Sequence, residues 1–311
     1  MYSRSIYLSF QPYLTTMSSL APIALLDVAV GIVVAALILL FVRSWRGEGL
    51  LRATARSIWR LLVTAAVVYL LFLASWGLNY RRVPLEQKLD FDRSRITHQA
   101  ALAFASTAVE QLNAGHAAAH AQTFQPEVLE YAFAGAQQLI GSPVPATTAR
   151  SKRSLAEIYF RYAAIDGMTV PVFLEVILNP DLLAVERPSV LAHEWAHLAG
   201  YADESEASFI AWIAGVRSAD PVARYSAWLD AYGLAYNALP RPMRADVPRL
   251  DEGPRADLDA IRARYARSSA TVRRAARGAY DSYLKANRID EGIENYAQAL
   301  QLILGTEMRV N

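Results

Sequence analysis

Two long apolar stretches near the N-terminus constrain this chain more than any other feature. Leu20–Val42 carries one charge, Asp27, in 23 residues, and Leu61–Leu78 carries none in 18. An α-helix rises about 1.5 Å per residue, so about 20 apolar residues cross the hydrocarbon of a bilayer. Buried helices of a soluble protein seldom reach that length twice in succession. The expectation is a pair of membrane spans. A cleaved signal sequence accounts less well for the first stretch, which begins late and stops at Arg43 without a small-residue cleavage pattern.

The segment between the spans is basic: Arg43, Arg46, Arg52, Arg56 and Arg60 are opposed only by Glu48. Short arginine-rich links stay in the cytoplasm. This predicts an integral protein of the cytoplasmic membrane, with both termini and everything after about Arg82 outside the cytoplasm. Arg81 and Arg82 pull the other way, two charges against five. The expected organisation is a membrane anchor over residues 1–82 and one domain over 83–311, and about 230 residues can bury a real core.

Composition narrows the function. The net charge of +2 gives no global case for a nucleic-acid partner. Arginines are dense from Arg241 to Arg277, but Asp246, Asp251, Glu252, Asp257 and Asp259 are interleaved with them, the pattern of a solvated helix face. The absence of cysteine excludes disulfides, thiol catalysis and cysteine-ligated zinc.

Within the domain, apolar spacing predicts helices at Ile96–Ala114 and Pro126–Ile140, with a loop at 141–146. Ile158–Tyr162 is β-branched and aromatic, Asp166-Gly167 is a hairpin-turn signal, and Val170–Phe173 and Glu175–Leu178 are further strand candidates, ended by Asn179-Pro180. Long helices are expected at Ala219–Ala238, Pro254–Asn287 and Glu291–Leu304, around a proline-rich loop at Pro240–Pro254. The order predicts a mostly helical α+β fold: two N-terminal transmembrane helices, then a domain with a small mixed sheet beside the helix of residues 193–197.

That helix carries the chemistry. Residues 193–197 read His-Glu-Trp-Ala-His. Positions i and i+4 share a helix face, so His193 and His197 can reach one metal ion, with Glu194 beside a metal-bound water. The bare pattern arises by chance in roughly one chain in a hundred, so context must decide. Here Pro188 suits a first helical turn, apolar residues flank the motif, and Gly200 is a natural stop. A second helical pattern starts at Asp203, an N-cap type, with Glu206 placed for a capping box. Three acids there compete as third ligand. Asp203 fits a metzincin-like spacing; Glu204 fits a gluzincin-like one, with Ser208 in the place of a supporting acid; Glu206 is the third. Glu186, Arg187, Asp203 and Glu204 lie too near the motif for it to sit in a spanning helix.

Four segments taken together carry a family likeness: Trp76-Gly-Leu-Asn-Tyr-Arg-Arg-Val-Pro-Leu85, the His193–His197 motif, Gly200-Tyr-Ala-Asp-Glu-Ser-Glu-Ala-Ser-Phe209, and Tyr283-Leu-Lys-Ala-Asn287. In this order they resemble an uncharacterised bacterial family of membrane-anchored proteins classed as gluzincin-type metallopeptidases. The likeness runs from about the second span to near the C-terminus. It implies a zincin-like domain with zinc held by His193, His197 and Glu204, and Glu194 as general base in hydrolysis of a peptide or protein substrate. It also points to Tyr283 and Tyr296 as candidates for steadying the oxyanion, with Lys285 and Asn287 bracing that segment. Peptidases of this class hold substrate as an added strand, and Met168–Leu178 is the expected edge.

Other chemistry-bearing residues read as structure. His98, His116 and His120 have no ligand-like partners in sequence and are expected on helix surfaces, while Trp195 and Trp212 are expected in the core. Two other functions compete with the peptidase: a zinc hydrolase of a non-protein amide such as a cell-envelope component, and a non-catalytic anchored module. Intact Glu194 argues against the second, because zinc binding alone does not need it.

Overall fold

The computed structural model describes residues 2–287, 289 and 298–307. Its first three helices are α1 (Ile6–Leu20), α2 (Leu25–Glu48) and α3 (Leu50–Ser75). The last two are long and apolar enough to cross a membrane, and none of their apolar windows is buried inside the protein. Toward Gly49 they extend further than the hydropathy suggested, because arginine is a good helix former, while α2 starts later than Leu20 and α3 ends before Leu78. The basic link is therefore helical on both sides of Gly49, whose φ of 80° makes the turn. Arg60 crosses the hairpin to the Leu40 carbonyl (3.0 Å) and the Ser44 hydroxyl (3.1 Å).

Helix α1 had no clear signal, since Pro12 and Ser18-Ser19 interrupt its pattern. It forms on the domain, burying Tyr7, Gln11, Thr15 and Ser18 along one face. Gln11 donates to the Thr147 carbonyl (2.7 Å) and accepts from the Thr147 amide (3.0 Å). Residues before 83 thus contribute to the same core as those after it: Tyr7 and Trp76 pack with the domain helices.

Three short strands form the sheet: β1 (Ser151–Lys152), β2 (Gly167–Val170) and β3 (Glu175–Leu178), in the order β1-β3-β2. β3 is central, parallel to β1 and antiparallel to β2, with Met168 opposite Ile177. Two strand expectations are corrected. Residues 158–162 lie in helix α6 (Ala156–Ala163), where Glu157, Phe160 and Ala163 recur every three residues and are buried. Tertiary burial overrides β propensity there. The hairpin turn falls at residues 171–174 rather than at Asp166-Gly167; Gly167 opens β2, and Leu174 takes the positive φ (48°).

The remaining helices are α4 (His98–Ala121), α5 (Pro126–Leu139), α7 (Arg187–Leu198), α8 (Glu204–Val216), α9 (Pro221–Ala238), α10 (Glu252–Ala266), α11 (Ala270–Ala286) and α12 (Ala299–Gly305). The single helix expected over Pro254–Asn287 is divided at residues 267–269, where Ser269 caps α11 and its amide bonds the Tyr162 carbonyl (3.0 Å). Of the helix expected at Glu291–Leu304, residues 291–297 lie outside the described residues. The whole is a mostly helical α+β fold with a small mixed sheet.

α7 and α8 run through the core. Trp195 and Trp212 are buried in it as expected; the Trp195 indole donates to the Ala149 carbonyl (2.7 Å), and Trp212 packs edge-on against Phe104 and Trp228. Both ends of α7 are held. At the start, Arg264 of α10 grips Glu186 in a two-pronged pair (2.9 and 2.5 Å) and reaches Asp166 (2.8 Å). Breaking such a buried pair costs about 3–5 kcal/mol. At the other end Tyr7, Trp76 and Arg82 bond the carbonyls of residues 197–200.

Candidate metal centre

Helix α7 begins with Pro188 in its first turn and is followed by the turn at Gly200, whose φ of 79° would strain a residue with a side chain. A Cβ there would meet Asn79 Oδ1 at 2.9 Å. The sharp glycine turn brings α8 back across the face that carries His193 and His197. Asp203 caps α8, accepting from the amides of Ser205 (2.9 Å) and Glu206 (3.1 Å).

These local choices converge three side chains. His193 Nε2 lies 3.1 Å from His197 Nε2 and 3.1 Å from Glu204 Oε2, and His197 Nε2 lies 3.3 Å from the same oxygen. Tetrahedral zinc with bonds of about 2.0–2.1 Å separates its ligands by about 3.3 Å, so the three donors fit one ion. The far ring nitrogens are also partnered. His197 Nδ1 faces the Tyr201 carbonyl at 2.7 Å, and a carbonyl only accepts, so Nδ1 carries a proton and Nε2 is the nitrogen turned to the cluster. Ser208 Oγ stands 3.2 Å from His193 Nδ1 and can accept from it.

The other two acids have separate work. Asp203 is the helix cap. Glu206 Oε1 accepts from the Leu85 amide (2.5 Å) instead of closing a capping box, and burial pushes its carboxyl up to about 7. Glu194 lies one residue round from His193 and is buried; Thr169 Oγ1 of β2 donates to its Oε2 at 2.8 Å. Gly167 passes so close that an added Cβ would meet Glu194 Oε1 at 2.7 Å. Burial raises the Glu194 carboxyl above its ordinary range, against the pull of His197 and His193.

Electrostatics marks the same cluster. Burial opposes protonation of His197, yet the Glu204 carboxylate outweighs it and pushes the imidazole up to about 9. Burial would raise Glu204, but His197 and the hydrogen bonds from both histidines hold it well below the usual carboxylate range. A proton held between two histidines and a carboxylate occupies the place a cation can take.

A column of aromatic rings leads to the centre. Trp76 stands edge-on to His197 (6.2 Å) and to Tyr80 (5.4 Å). Tyr80 donates to the Tyr283 hydroxyl at 3.2 Å, and Tyr283 stacks on Tyr280, whose hydroxyl donates to Glu204 Oε1. Tyr283 is therefore one ring removed from the acid, and Tyr280 is the tyrosine that touches it. Sequence reasoning missed Tyr280, although it lies one helical turn before Tyr283. Tyr296 lies outside the described residues. Asn287 bonds the Tyr283 carbonyl (2.8 Å), and Lys285 pairs with Asp281 (2.8 Å).

A second cluster corrects the expectation that His116 and His120 lack partners. Both face Asp257 Oδ2, at 3.6 and 3.0 Å, and Tyr225 donates to that oxygen at 2.6 Å. These rings stack 4.2 Å apart and only 34° from parallel, whereas His193 and His197 stand at 88° with both Nε2 atoms converging. His98 is exposed on α4.

Fold and centre together define a helical α+β protein with a candidate membrane hairpin and a buried His-His-Glu cluster. The chain belongs to the family described as protein of unknown function DUF3810, whose sequence profile matches residues 2–304. No curated protein and no solved structure matches it.

Proposed function

We propose that this protein is a membrane-anchored, zinc-dependent metallopeptidase of the gluzincin type. The convergence of His193, His197 and Glu204 donors to within 3.1–3.3 Å of one another, with Glu194 adjacent, carries the reading. His193, His197 and Glu204 hold the ion; bound there, zinc supplies an activated water and polarises the scissile carbonyl. Glu194 accepts the proton from the attacking water and returns it to the leaving amine. Thr169 holds its Oε2 in place.

Substrate binding falls to β2. Central β3 is paired on both sides, while β2 pairs with no second strand among the described residues. A peptide laid along β2 passes Thr169 and hence Glu194. The Gly167 hydrogen leaves room for the carboxylate that any larger side chain would displace.

The anchor sets the compartment. The start of α2 and the end of α3 both contact the domain, through Glu175 to the Leu25 and Leu26 amides (2.9 Å each) and through Trp76 to His197. The arginine-flanked turn at Gly49 is at the other end of the hairpin. Retention of that turn in the cytoplasm puts the domain outside it.

The test is hydrolysis of a fluorogenic peptide library by the full chain in detergent, with and without a zinc chelator. Chelator-sensitive cleavage that disappears in Glu194→Gln supports the peptidase. A zinc-loaded protein that cleaves no peptide excludes it.

A further inference from the structure

Two helices outside the metal centre present apolar faces to solvent, both where the candidate spans meet the domain. On α1 the exposed apolar side chains are Ile6, Tyr13, Met17 and Leu20, each 50–78% accessible. At 100° per residue they fall within about 60° of one another, opposite the buried face of Tyr7, Gln11, Thr15 and Ser18. The helix is fixed at each end. Tyr2 donates to the Ala74 carbonyl, in the last turn of α3, at 2.8 Å. Residues 21–24 then lead directly from its other end into α2. α1 therefore runs from the end of one span to the start of the other.

Helix α6 repeats the pattern. Leu155, Ile158, Tyr159 and Tyr162 follow the i, i+3, i+4, i+7 spacing of one helical face and are exposed, while Glu157, Phe160 and Ala163 are buried opposite. Its N-terminal end is tied to the start of α2: Asp27 accepts from Ser154 Oγ and the Leu155 amide, each at 2.8 Å. Ile23 forms a β-bridge with Arg153 beside it.

We propose that these two faces lie in the headgroup–acyl boundary of the bilayer that α2 and α3 cross. α1 and α6 then form a platform that seats the domain on the membrane. The proposal rests on reading α2 and α3 as spans. Continuity argues for lipid as the occupant: both faces adjoin the start of α2, whose apolar window is not buried inside the protein. The composition agrees, since Tyr13, Tyr159 and Tyr162 combine an apolar ring with a polar tip suited to that boundary. The platform also touches the metal helix, because Tyr7 on the inner face of α1 donates to the Leu198 carbonyl at 2.7 Å.

The chain has no cysteine, so single labels are clean. Met17→Cys, Ile158→Cys, Ile38→Cys and Glu110→Cys, all at exposed positions, are labelled with bimane in the full chain and reconstituted into phosphatidylcholine–phosphatidylglycerol vesicles. Lipids brominated near the headgroup are expected to quench the labels at 17 and 158 at least about twofold more than the label at 110. Lipids brominated near the bilayer centre are expected to quench the label at 38. If the label at 38 is quenched and those at 17 and 158 match 110, the spans stand and the platform is wrong. If the label at 38 also matches 110, the spans themselves fall and the platform with them.

Discussion

The indole of Trp76 donates its N–H to the carbonyl of His197 at 2.8 Å. Trp76 closes the second apolar helix, and His197 is the second histidine of the metal helix. One hydrogen bond thus joins the candidate membrane hairpin to the candidate metal centre, and Tyr7 and Arg82 repeat the connection on the next carbonyls. The end of a helix leaves carbonyls without intrahelical partners, and here Tyr7, Trp76 and Arg82 satisfy them.

Trp76→Phe keeps an aromatic ring against Tyr80 and removes the donor. The Gly200 amide still reaches the His197 carbonyl (2.9 Å), so the loss is one bond, about 1 kcal/mol. Denaturant unfolding of the full chain in detergent should show that loss with zinc content unchanged. Loss of zinc instead would mean that the anchor shapes the site itself.

Glu194→Gln should keep the zinc and lower turnover by about 10²–10⁴-fold, the usual worth of a positioned general base. Equal losses of zinc and activity would make Glu194 a structural residue.

Ser208→Ala leaves His193 Nδ1 without its oxygen neighbour at 3.2 Å. Removing such a support weakens metal binding by about 10–100-fold, which a chelator competition titration measures directly. Unchanged affinity would show that the imidazole needs no help from α8.

Glu206 gives a pH prediction with a definite sign. Its folded carboxyl titrates at about 7, above the ordinary 4.5, so the folded state binds more protons between those limits. Stability from this group is full below about pH 4.5 and falls as pH rises toward 7, by up to about 3 kcal/mol. A glutamine at this position cannot ionise and still accepts from the Leu85 amide. Glu206→Gln should therefore be the more stable protein at pH 8 and gain nothing at pH 4.5. A constant difference between the two pH values would contradict this.

What could be read from the sequence was whatever depends on neighbours in the chain. His193, His197, the Gly200 stop and the Asp203 cap all lie within eleven residues, and each has a local reason for its place. Residues 158–162 misled because aromatic and β-branched side chains favour strands, while the buried contacts of Phe160 and Ala163 make them a helix. α1 was invisible because three of the four residues buried on its inner face are polar, and Gln11 and Thr15 become core residues only once the 147 segment lies beside them. Tyr280 joins Glu204 across 76 residues of chain, a separation no local pattern reports.

Zinc content of the purified full chain, after dialysis against trace zinc, tests the central claim most directly. The account predicts about one zinc per chain, lost in His197→Ala and Glu204→Gln and retained in Asp203→Asn and Glu206→Gln. A folded protein that takes up no zinc, or that keeps it in Glu204→Gln, would contradict the account.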